Sequence, residues 1–308
     1  MKDFINIRDL SAAQMLALLQ RACSDKALFK AGKLPAALHS KTLGMIFEKP
    51  SLRTRVSFET AMTHLGGHAI YLTNADIGLG SREAIQDIAR VLGRMCDGIM
   101  ARTFSHSFVE QMARHAPVPV INGLTDYSHP CQAMADFMTL QEIFGELKGR
   151  TLAFIGDGNN VARSLAIGCA KLGMTFVLAC PKGYELDGEL VAGARGVGGD
   201  SCFQTIHDPK QAVLKADCIY TDTWVSMGQE AQKAKRVKDF AGYQINAGLL
   251  KLAPAHAVVL HCLPAYRDYE ITDEAFEAHA GSILEEAENR LHFQRSLLNV
   301  LMAEGGIR

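Results

Sequence analysis

The segment TLAFIGDGNNVARSLAIGCAKLGMTFVLACP, residues 151–181, determines the fold class of this chain. Its two apolar runs, TLAFIGDG (151–158) and TFVLACP (175–181), flank a longer stretch that opens on a pair of asparagines. Short apolar runs separated by helical stretches are typical of strand–helix–strand units, whose strands pair in parallel. We therefore predict a parallel sheet covered by helices.

The same alternation runs through most of the chain and predicts two α/β halves. Between them, residues 129–147 form one long helical pattern that begins at a His-Pro pair, ends near Gly145 and can link the halves. Further strands are predicted at 42–48, 68–72, 97–101, 118–124, 217–222 and 257–264, with a weak one near Ser201–Gln204.

Composition excludes several classes of protein. Lys and Arg total 32 against 33 Asp and Glu, so the chain has no general basic field for nucleic acid or an anionic membrane. The eight cysteines are scattered without a C-x-x-C pair or zinc spacing, which predicts no metal site and favours a reducing cytoplasm. The first residues predict an amphipathic helix, and no run approaches the roughly 20 apolar residues of a membrane span, so we expect a soluble protein.

Polar motifs follow four of the predicted strands, where ligands bind in parallel sheets. PSLRTR (50–55) follows a strand and opens a helix, so backbone N–H groups, hydroxyls and guanidinium groups can converge on one phosphate. The alternative is a helix cap with two surface arginines. His129 and Gln132 also open a helix, where they can hold the carbonyl and NH2 of a carbamoyl group, although a lone histidine there is more often a cap.

Other motifs in the second half are individually weak. GDGNN (156–160) lacks the full dinucleotide spacing; its asparagines can hold a carboxylate or merely cap a helix. DTWVSMG (222–228) can bind an amino acid's ammonium group, or can be an ordinary loop with Trp224 in the core. HCLP (261–264) contains a cysteine of a kind that is usually an inert core residue, and Arg290 lies on a helix whose charges are usually solvated.

Taken together, these segments resemble the aspartate/ornithine carbamoyltransferase family over essentially the whole chain. FEKPSLRTRVSFE is similar to the family's carbamoyl-phosphate signature, HPCQAMAD to its His-Pro-x-Gln signature, and DTWVSMG with HCLP to its ornithine-specific pair. The resemblance implies a carbamoyl-phosphate domain, residues 1–147 joined by the C-terminal helix (about 284–308), and an ornithine domain, 148–283. It also implies a homotrimer or an assembly of trimers, no cofactor and no metal.

The resemblance further implies the role of each site residue. Arg102, His129, Cys262 and Arg290 are the expected catalytic residues. The residues expected to bind carbamoyl phosphate are Ser51, Leu52 (through its backbone), Arg53, Thr54, Arg102, His129, Gln132, Cys262, Leu263 and Arg290. Those expected to bind ornithine are Asn160, Asp222, Ser226 and Met227.

Two departures from the family pattern leave the substrate and one contact open. Leu52 replaces the usual threonine, as in relatives that use acylated ornithines, so N-acetylornithine, N-succinylornithine and putrescine remain alternatives to ornithine. In the loop 76–83, expected to reach a neighbouring subunit's site, either Ser81 or Arg82 can be the contact. Two other classes are less well supported. A dinucleotide-dependent oxidoreductase would need an acidic residue at the end of the strand at 175–181 to hold the ribose, and this chain has none there. A non-catalytic binding protein would not need both half-sites.

Overall fold

The computed structural model describes residues 1–78, 82–226 and 228–307, which divide into two compact units. Unit 1 comprises Met1–Met138 and Glu288–Arg308, and unit 2 comprises Thr139–Ala287. The divisions fall inside two helices, α6 (Pro130–Phe144) and α13 (Ala280–Met302). The domain boundaries inferred from sequence, at 147/148 and about 284, remain proposals.

Unit 1 contains a four-stranded parallel sheet in the order β2-β1-β3-β4. The chain moves from β1 outwards to β2 and then returns to the other side of β1, so the strand order reverses between β1 and β3. The strands are β1 (Thr42–Phe47), β2 (His68–Thr73), β3 (Gly98–Arg102) and β4 (Val120–Leu124). The other helices of the unit are α1 (Ala12–Lys30), α2 (Leu52–His64), α3 (Asn74–Ile77), α4 (Ile85–Met95) and α5 (His106–His115).

Unit 2 contains a five-stranded parallel sheet in the order β7-β6-β5-β8-β9. Here the strand order reverses between β5 and β8. The strands are β5 (Thr151–Ile155), β6 (Thr175–Ala179), β7 (Phe203–Ile206), β8 (Cys218–Thr221) and β9 (Val258–His261). The helices are α7 (Asn160–Leu172), α8 (Gly188–Gly198), α9 (Pro209–Val213), α10 (Lys233–Asp239), α11 (Ala247–Leu250) and α12 (Asp273–Ala278).

Local sequence explains where the helices begin. Ser11 forms a capping box with Gln14 at the start of α1, and Ser51 accepts a hydrogen bond from the backbone of Thr54 at the start of α2. Asn159 caps α7 through Val161 and Ala162. Two of these caps belong to the predicted site motifs, so the same polar side chains begin a helix and occupy the carboxyl end of a strand.

The predicted parallel α/β fold is confirmed, with small differences at the weakest strand. The sequence predicts that strand near 201–204, but it spans Phe203–Ile206 because Asp200–Cys202 forms a short 3-10 turn. Strands β5 and β8 are buried along almost their whole length, which explains their continuous apolar sequence. In the part of the chain that the structure describes, no helix has the length and apolar character needed to cross a membrane.

Candidate active site

Each unit carries a polar cluster at the point where its strand order reverses. In parallel sheets, ligands bind at such points because the loops after the two central strands diverge and leave a crevice between them. In unit 1, the segment after β1 lies beside Arg102 at the end of β3, and in unit 2 the GDGNN turn after β5 lies beside Asp222 after β8.

In unit 1, the hydroxyl of Thr54 is the meeting point of two arginines. Arg102 Nη1 lies 3.3 Å and Arg290 Nη2 lies 2.9 Å from Thr54 Oγ1, and Ser51 donates a third hydrogen bond of 3.1 Å to the same atom. Thr54, Arg102 and Arg290 are all buried. Two guanidinium groups at the N-terminus of α2 form a strongly electropositive cluster, which suits a phosphate or another compact anion.

His129 is buried within reach of this cluster and is held neutral. Burial, together with the positive charges of Arg290, Arg102 and Arg53, holds the pKa of His129 well below its usual value. A neutral imidazole has one N–H donor and one acceptor. His129 can therefore donate a hydrogen bond to a carbonyl oxygen without adding a further positive charge.

Two further predicted positions in unit 1, Gln132 and Leu52, differ sharply in burial. Gln132 is fully buried, and its Nε2 donates a 2.8 Å hydrogen bond to Asp136 Oδ1 one turn later on α6. Leu52, by contrast, is 74% exposed. The side chain at the unusual position in the motif therefore projects into solvent, and only its backbone belongs to the start of α2.

In unit 2, Asn159 and Asp222 form the centre of the polar cluster. Asn159 Nδ2 donates a 2.7 Å hydrogen bond to Asp222 Oδ2, and the backbone N–H of Thr223 donates to Asp222 Oδ1 at 2.7 Å. Asp222 is only 8% exposed. A carboxylate fixed in this way from two sides presents its remaining lone pairs in a defined direction, which suits an ammonium group.

A buried ion pair fixes the loop that follows Asp222. Arg236 Nη1 lies 2.7 Å from Asp157 Oδ2 and donates to the backbone oxygen of Trp224 at 2.8 Å. Burial raises the pKa of Asp157, although the hydrogen bond from Arg236 opposes the shift. The ion pair therefore ties α10 to the GDGNN turn and to the loop after β8.

Two glutamates, Glu270 and Glu286, hydrogen-bond the HCLP segment. His261 Nδ1 accepts from the backbone N–H of Leu263 at 2.9 Å, so the proton lies on Nε2, which is 3.1 Å from Glu270 Oε1. Glu286 accepts from the backbone N–H of His261 at 2.8 Å. These bonds support Leu263, whose φ of 58° lies in the left-handed region.

One group of side chains in unit 2 has the composition of a metal site. A carboxylate oxygen of Asp222, a ring nitrogen of His261 and the Sγ of Cys262 lie within 4.8 Å of one another, and all three residues are buried. In His261, however, Nδ1 already accepts from the backbone of Leu263 and Nε2 faces Glu270, so both ring nitrogens are engaged within the protein. Asp222 and Cys262 are also predicted site residues.

Comparisons with known proteins match both units. The model of the aspartate/ornithine carbamoyltransferase carbamoyl-P binding domain matches residues 2–142, and that of the Asp/Orn binding domain matches residues 148–301. The ornithine carbamoyltransferase of Methanosarcina acetivorans is 50% identical over 98% of this chain and 99% of its own length. The chain belongs to the aspartate/ornithine carbamoyltransferase family.

Solved structures of carbamoyltransferases match the fold over nearly the whole length. The ornithine carbamoyltransferase from Pyrococcus furiosus superposes with a TM-score of 0.94 at 48% identity, covering 100% of this chain and 98% of that one. The anabolic enzyme from Campylobacter jejuni has a TM-score of 0.92 at 40% identity, covering 98% and 99%. The resemblance inferred from the motifs is therefore confirmed at the level of family and fold.

The predicted carbamoyltransferase site residues fall into two groups. In unit 1 the structure brings Ser51, Thr54, Arg102 and Arg290 into direct contact. In unit 2 it gathers Asp222 and Cys262, while Asn160 is the first residue of α7 and Ser226 is half-buried. Two predicted positions, Met227 and Ser81, lie outside the described residues.

Sequence reasoning missed the side chains that support the carbamoyltransferase site. Asp136 is in the quoted HPCQAMAD motif, four residues after Gln132, and this helical spacing could have revealed the contact. The sequence indicates Asn159 only together with Asn160, as a ligand or a cap, and does not reveal its bond to Asp222. Arg236 lies in the charged run KAKRVKD, whose composition suggests a solvated helix, and nothing local indicates that it is buried.

Gly158 of the GDGNN turn is required by the packing of unit 2. A Cβ at Gly158 would lie 2.8 Å from backbone atoms of the segment 184–186. Only glycine fits such a close approach. This explains the glycine without a dinucleotide, which was the alternative that the motif left open.

Proposed function

We propose that this chain transfers the carbamoyl group of carbamoyl phosphate to the δ-amine of L-ornithine, giving L-citrulline and phosphate, in arginine metabolism. Unit 1 would bind carbamoyl phosphate and unit 2 would bind ornithine. Relatives over the full length carry the name ornithine carbamoyltransferase, among them the anabolic enzyme of Pyrococcus furiosus, and this supports the biosynthetic direction.

The observation that carries the proposal is the sharing of Thr54 Oγ1 by Arg102 and Arg290 beside the neutral His129. Arg53 and the N-terminus of α2 suit the phosphate of the substrate, with Ser51 and the Leu52 backbone as further ligands. Thr54, Arg102 and His129 all carry donors for the carbonyl oxygen, and Gln132 suits the NH2 group. Cys262, Leu263 and Arg290 are proposed to line the reacting centre.

The chemistry requires a neutral amine and a stabilised oxyanion. The δ-nitrogen attacks the carbamoyl carbon, a C–N bond forms, the amine loses a proton, and the C–O bond to phosphate breaks. Preorganised donors lower the energy of the developing oxyanion because they need no reorientation during the reaction. A free δ-amine has a pKa near that of lysine, about 10.4, so nearby positive charge and exclusion of water must favour its neutral form.

Unit 2 supplies the groups that an α-amino acid needs. Asp222 is proposed to pair with the α-ammonium of ornithine. Asn160, Ser226 and Met227 are proposed to help it hold the α-groups of the substrate. The exposed side chain of Leu52 argues against an effect of that substitution on the acceptor. Asp222 therefore favours free ornithine over N-acetylornithine or N-succinylornithine, whose α-nitrogen carries no charge.

The experiment that tests this proposal is an assay of amine carbamoylation by the purified chain. Ornithine, N-acetylornithine, N-succinylornithine and putrescine are each offered with carbamoyl phosphate, and the carbamoylated product is measured. We expect citrulline as the main product, with ornithine preferred in kcat/KM. Equal use of N-acetylornithine would contradict the assignment of ornithine, and no transfer to any amine would contradict the assignment of the reaction.

We further propose a homotrimer, or an assembly of trimers, in the cytoplasm. The support is the family itself and the loop 76–83, which the resemblance assigns to a neighbouring subunit's site. Sedimentation at assay concentration should give the mass of a trimer or a multiple of it. A fully active monomer would contradict the shared site.

A further inference from the structure

Three polar side chains lie along one buried face at the start of α6, with His129 at the residue before the helix begins. His129, Gln132 and Asp136 are spaced i, i+3 and i+7, which places them on the same side of a helix. His129 is 4% exposed, and Gln132 and Asp136 are fully buried. Burying a carboxyl group and an amide costs free energy unless both are hydrogen-bonded. The partners of these polar groups therefore indicate what the row does.

The bond between Gln132 and Asp136 fixes which way the amide points. The two ends of a glutamine amide have nearly the same shape, so a rotation of half a turn exchanges a donor for an acceptor. Gln132 Nε2 donates a 2.8 Å hydrogen bond to Asp136 Oδ1, and that oxygen accepts it. The NH2 end is therefore turned towards Asp136, and the carbonyl oxygen is turned to the other side of the amide.

The orientation of this amide complements the rest of the cluster. Arg102 and Arg290 carry only donors at their guanidinium groups, and His129 can supply another, so the cluster suits the oxygens of carbamoyl phosphate. The NH2 group of the same substrate is a donor and needs an acceptor. A glutamine oxygen facing it provides one, whereas a flipped amide would set two NH2 groups against each other.

We propose that Asp136 is a positioning residue that locks the amide of Gln132 with its oxygen towards the NH2 of the bound carbamoyl group. The inference rests on the proposed function, because it takes carbamoyl phosphate as the ligand of unit 1. It assigns Asp136 a role in selectivity. With the lock in place, the site distinguishes a carbamoyl group from an acetyl group of nearly the same size.

Two stable phosphonates provide matched probes for this selectivity. Phosphonoacetamide carries an NH2 group where acetonylphosphonate carries a methyl group, and the two are otherwise alike. Titration calorimetry on the full chain should show that phosphonoacetamide binds more tightly. In Asp136→Asn, the new amide can donate as well as accept, so Gln132 is no longer locked. We expect the ratio of the two affinities to fall by about tenfold, with acetonylphosphonate binding little changed.

A second variant keeps the test decisive if Asp136→Asn folds poorly. Gln132→Met removes the amide and should abolish the preference, and adding Asp136→Asn to it should change the ratio no further, since coupled residues act non-additively. Gln141→Met, the same replacement later on the helix, is the control and should keep the wild-type ratio.

The outcomes separate this inference from the proposed function. A wild-type chain that binds neither probe would overturn both. A wild-type preference that persists in Asp136→Asn and in Gln132→Met would overturn the role of Asp136 alone. Equal weakening of both probes in Asp136→Asn would also overturn it, because a merely structural residue affects the pocket as a whole and leaves the ratio unchanged.

Discussion

Asn159 hydrogen-bonds Asp222 across the two central strands of unit 2. Its Nδ2 donates to Asp222 Oδ2 at 2.7 Å, while its Oδ1 accepts from the backbone N–H groups of Val161 and Ala162, each at 3.0 Å. One side chain thus begins α7 and also orients the carboxylate proposed to bind the ornithine ammonium. The two tasks use different atoms of the amide, so mutations can separate them.

Asn159→Ser should separate capping from the orientation of Asp222. A serine hydroxyl can still cap the helix, but it is too short to reach Asp222, so the KM for ornithine should rise by about fivefold, the equivalent of one hydrogen bond. Asn159→Ala should lose the cap as well, at about 1 kcal/mol of unfolding free energy. Steady-state kinetics and urea unfolding measure the two effects. A serine variant with the wild-type KM for ornithine would rule out the orienting role.

Asp222→Asn should remove most of the preference for ornithine over N-acetylornithine. The charge-assisted bond to the α-ammonium is lost, and a site built for a polar partner discriminates by as much as roughly 10⁴-fold. The measurement is the ratio of kcat/KM for the two amines. Glu189→Gln neutralises an exposed carboxylate of the same unit and should leave the ratio unchanged. A ratio unaffected in Asp222→Asn would place the ammonium site elsewhere.

Arg53→Ala and Arg102→Ala should each weaken carbamoyl phosphate binding or turnover by tenfold or more. Each removes one charge-assisted contact, which contributes roughly 1.5–3 kcal/mol. Arg102 should show the larger effect, because its removal also takes a partner from Thr54 inside a buried cluster. Arg90→Ala, an exposed arginine of unit 1, is the matched control. Wild-type kinetics in either active-site variant would contradict the place of that arginine in the carbamoyl phosphate site.

His129 should make the protein less stable in mild acid. Its pKa is held below the usual value, so between the lowered pKa and about 6.5 the unfolded chain binds a proton that the folded chain does not. Unfolding free energy therefore falls as the pH decreases through this window, by up to about 1.4 kcal/mol per pH unit. At pH 8 the residue is neutral in both states and contributes no such effect.

The glutamine variant isolates this effect from the other titrating groups. His129→Gln cannot take up the proton, so its midpoint of urea unfolding should fall less steeply than that of the wild type between pH 6.5 and pH 5. The difference at pH 8 supplies the baseline for each protein. Identical slopes for the two proteins would mean that His129 takes up its proton as readily in the folded chain as in the unfolded chain, which would contradict the lowered pKa.

The strand pattern and the order of motifs were enough to predict the fold. Buried parallel strands such as β5 are apolar on both faces, and such runs stand out between amphipathic helices. The limits of β7 were less clear because Gln204 and Thr205 are exposed in a short strand. The sequence there lacks the apolar continuity that marked the other strands of the sheet.

The site was predictable only as far as its motifs are local. Thr54 and Arg290 are 236 positions apart, and only the family resemblance linked them before the structure placed them 2.9 Å apart. Arg236 could not be found at all, because its partner Asp157 is distant in sequence and a lysine-rich helix normally faces solvent. Long-range pairing of charges depends on the fold as a whole, which a local pattern does not contain.

The discontinuity of unit 1 has a consequence for synthesis on the ribosome. All of unit 2 leaves the exit tunnel before residues 288–307, which carry Arg290 and the buried Phe293 that packs 5.8 Å from Phe4. Unit 2 can therefore complete its core while unit 1 still lacks part of its own, although domains usually mature from the N-terminus. The nascent chain must hold the first 138 residues in an unfinished state, exposed to chaperones and proteases, until its final helix arrives.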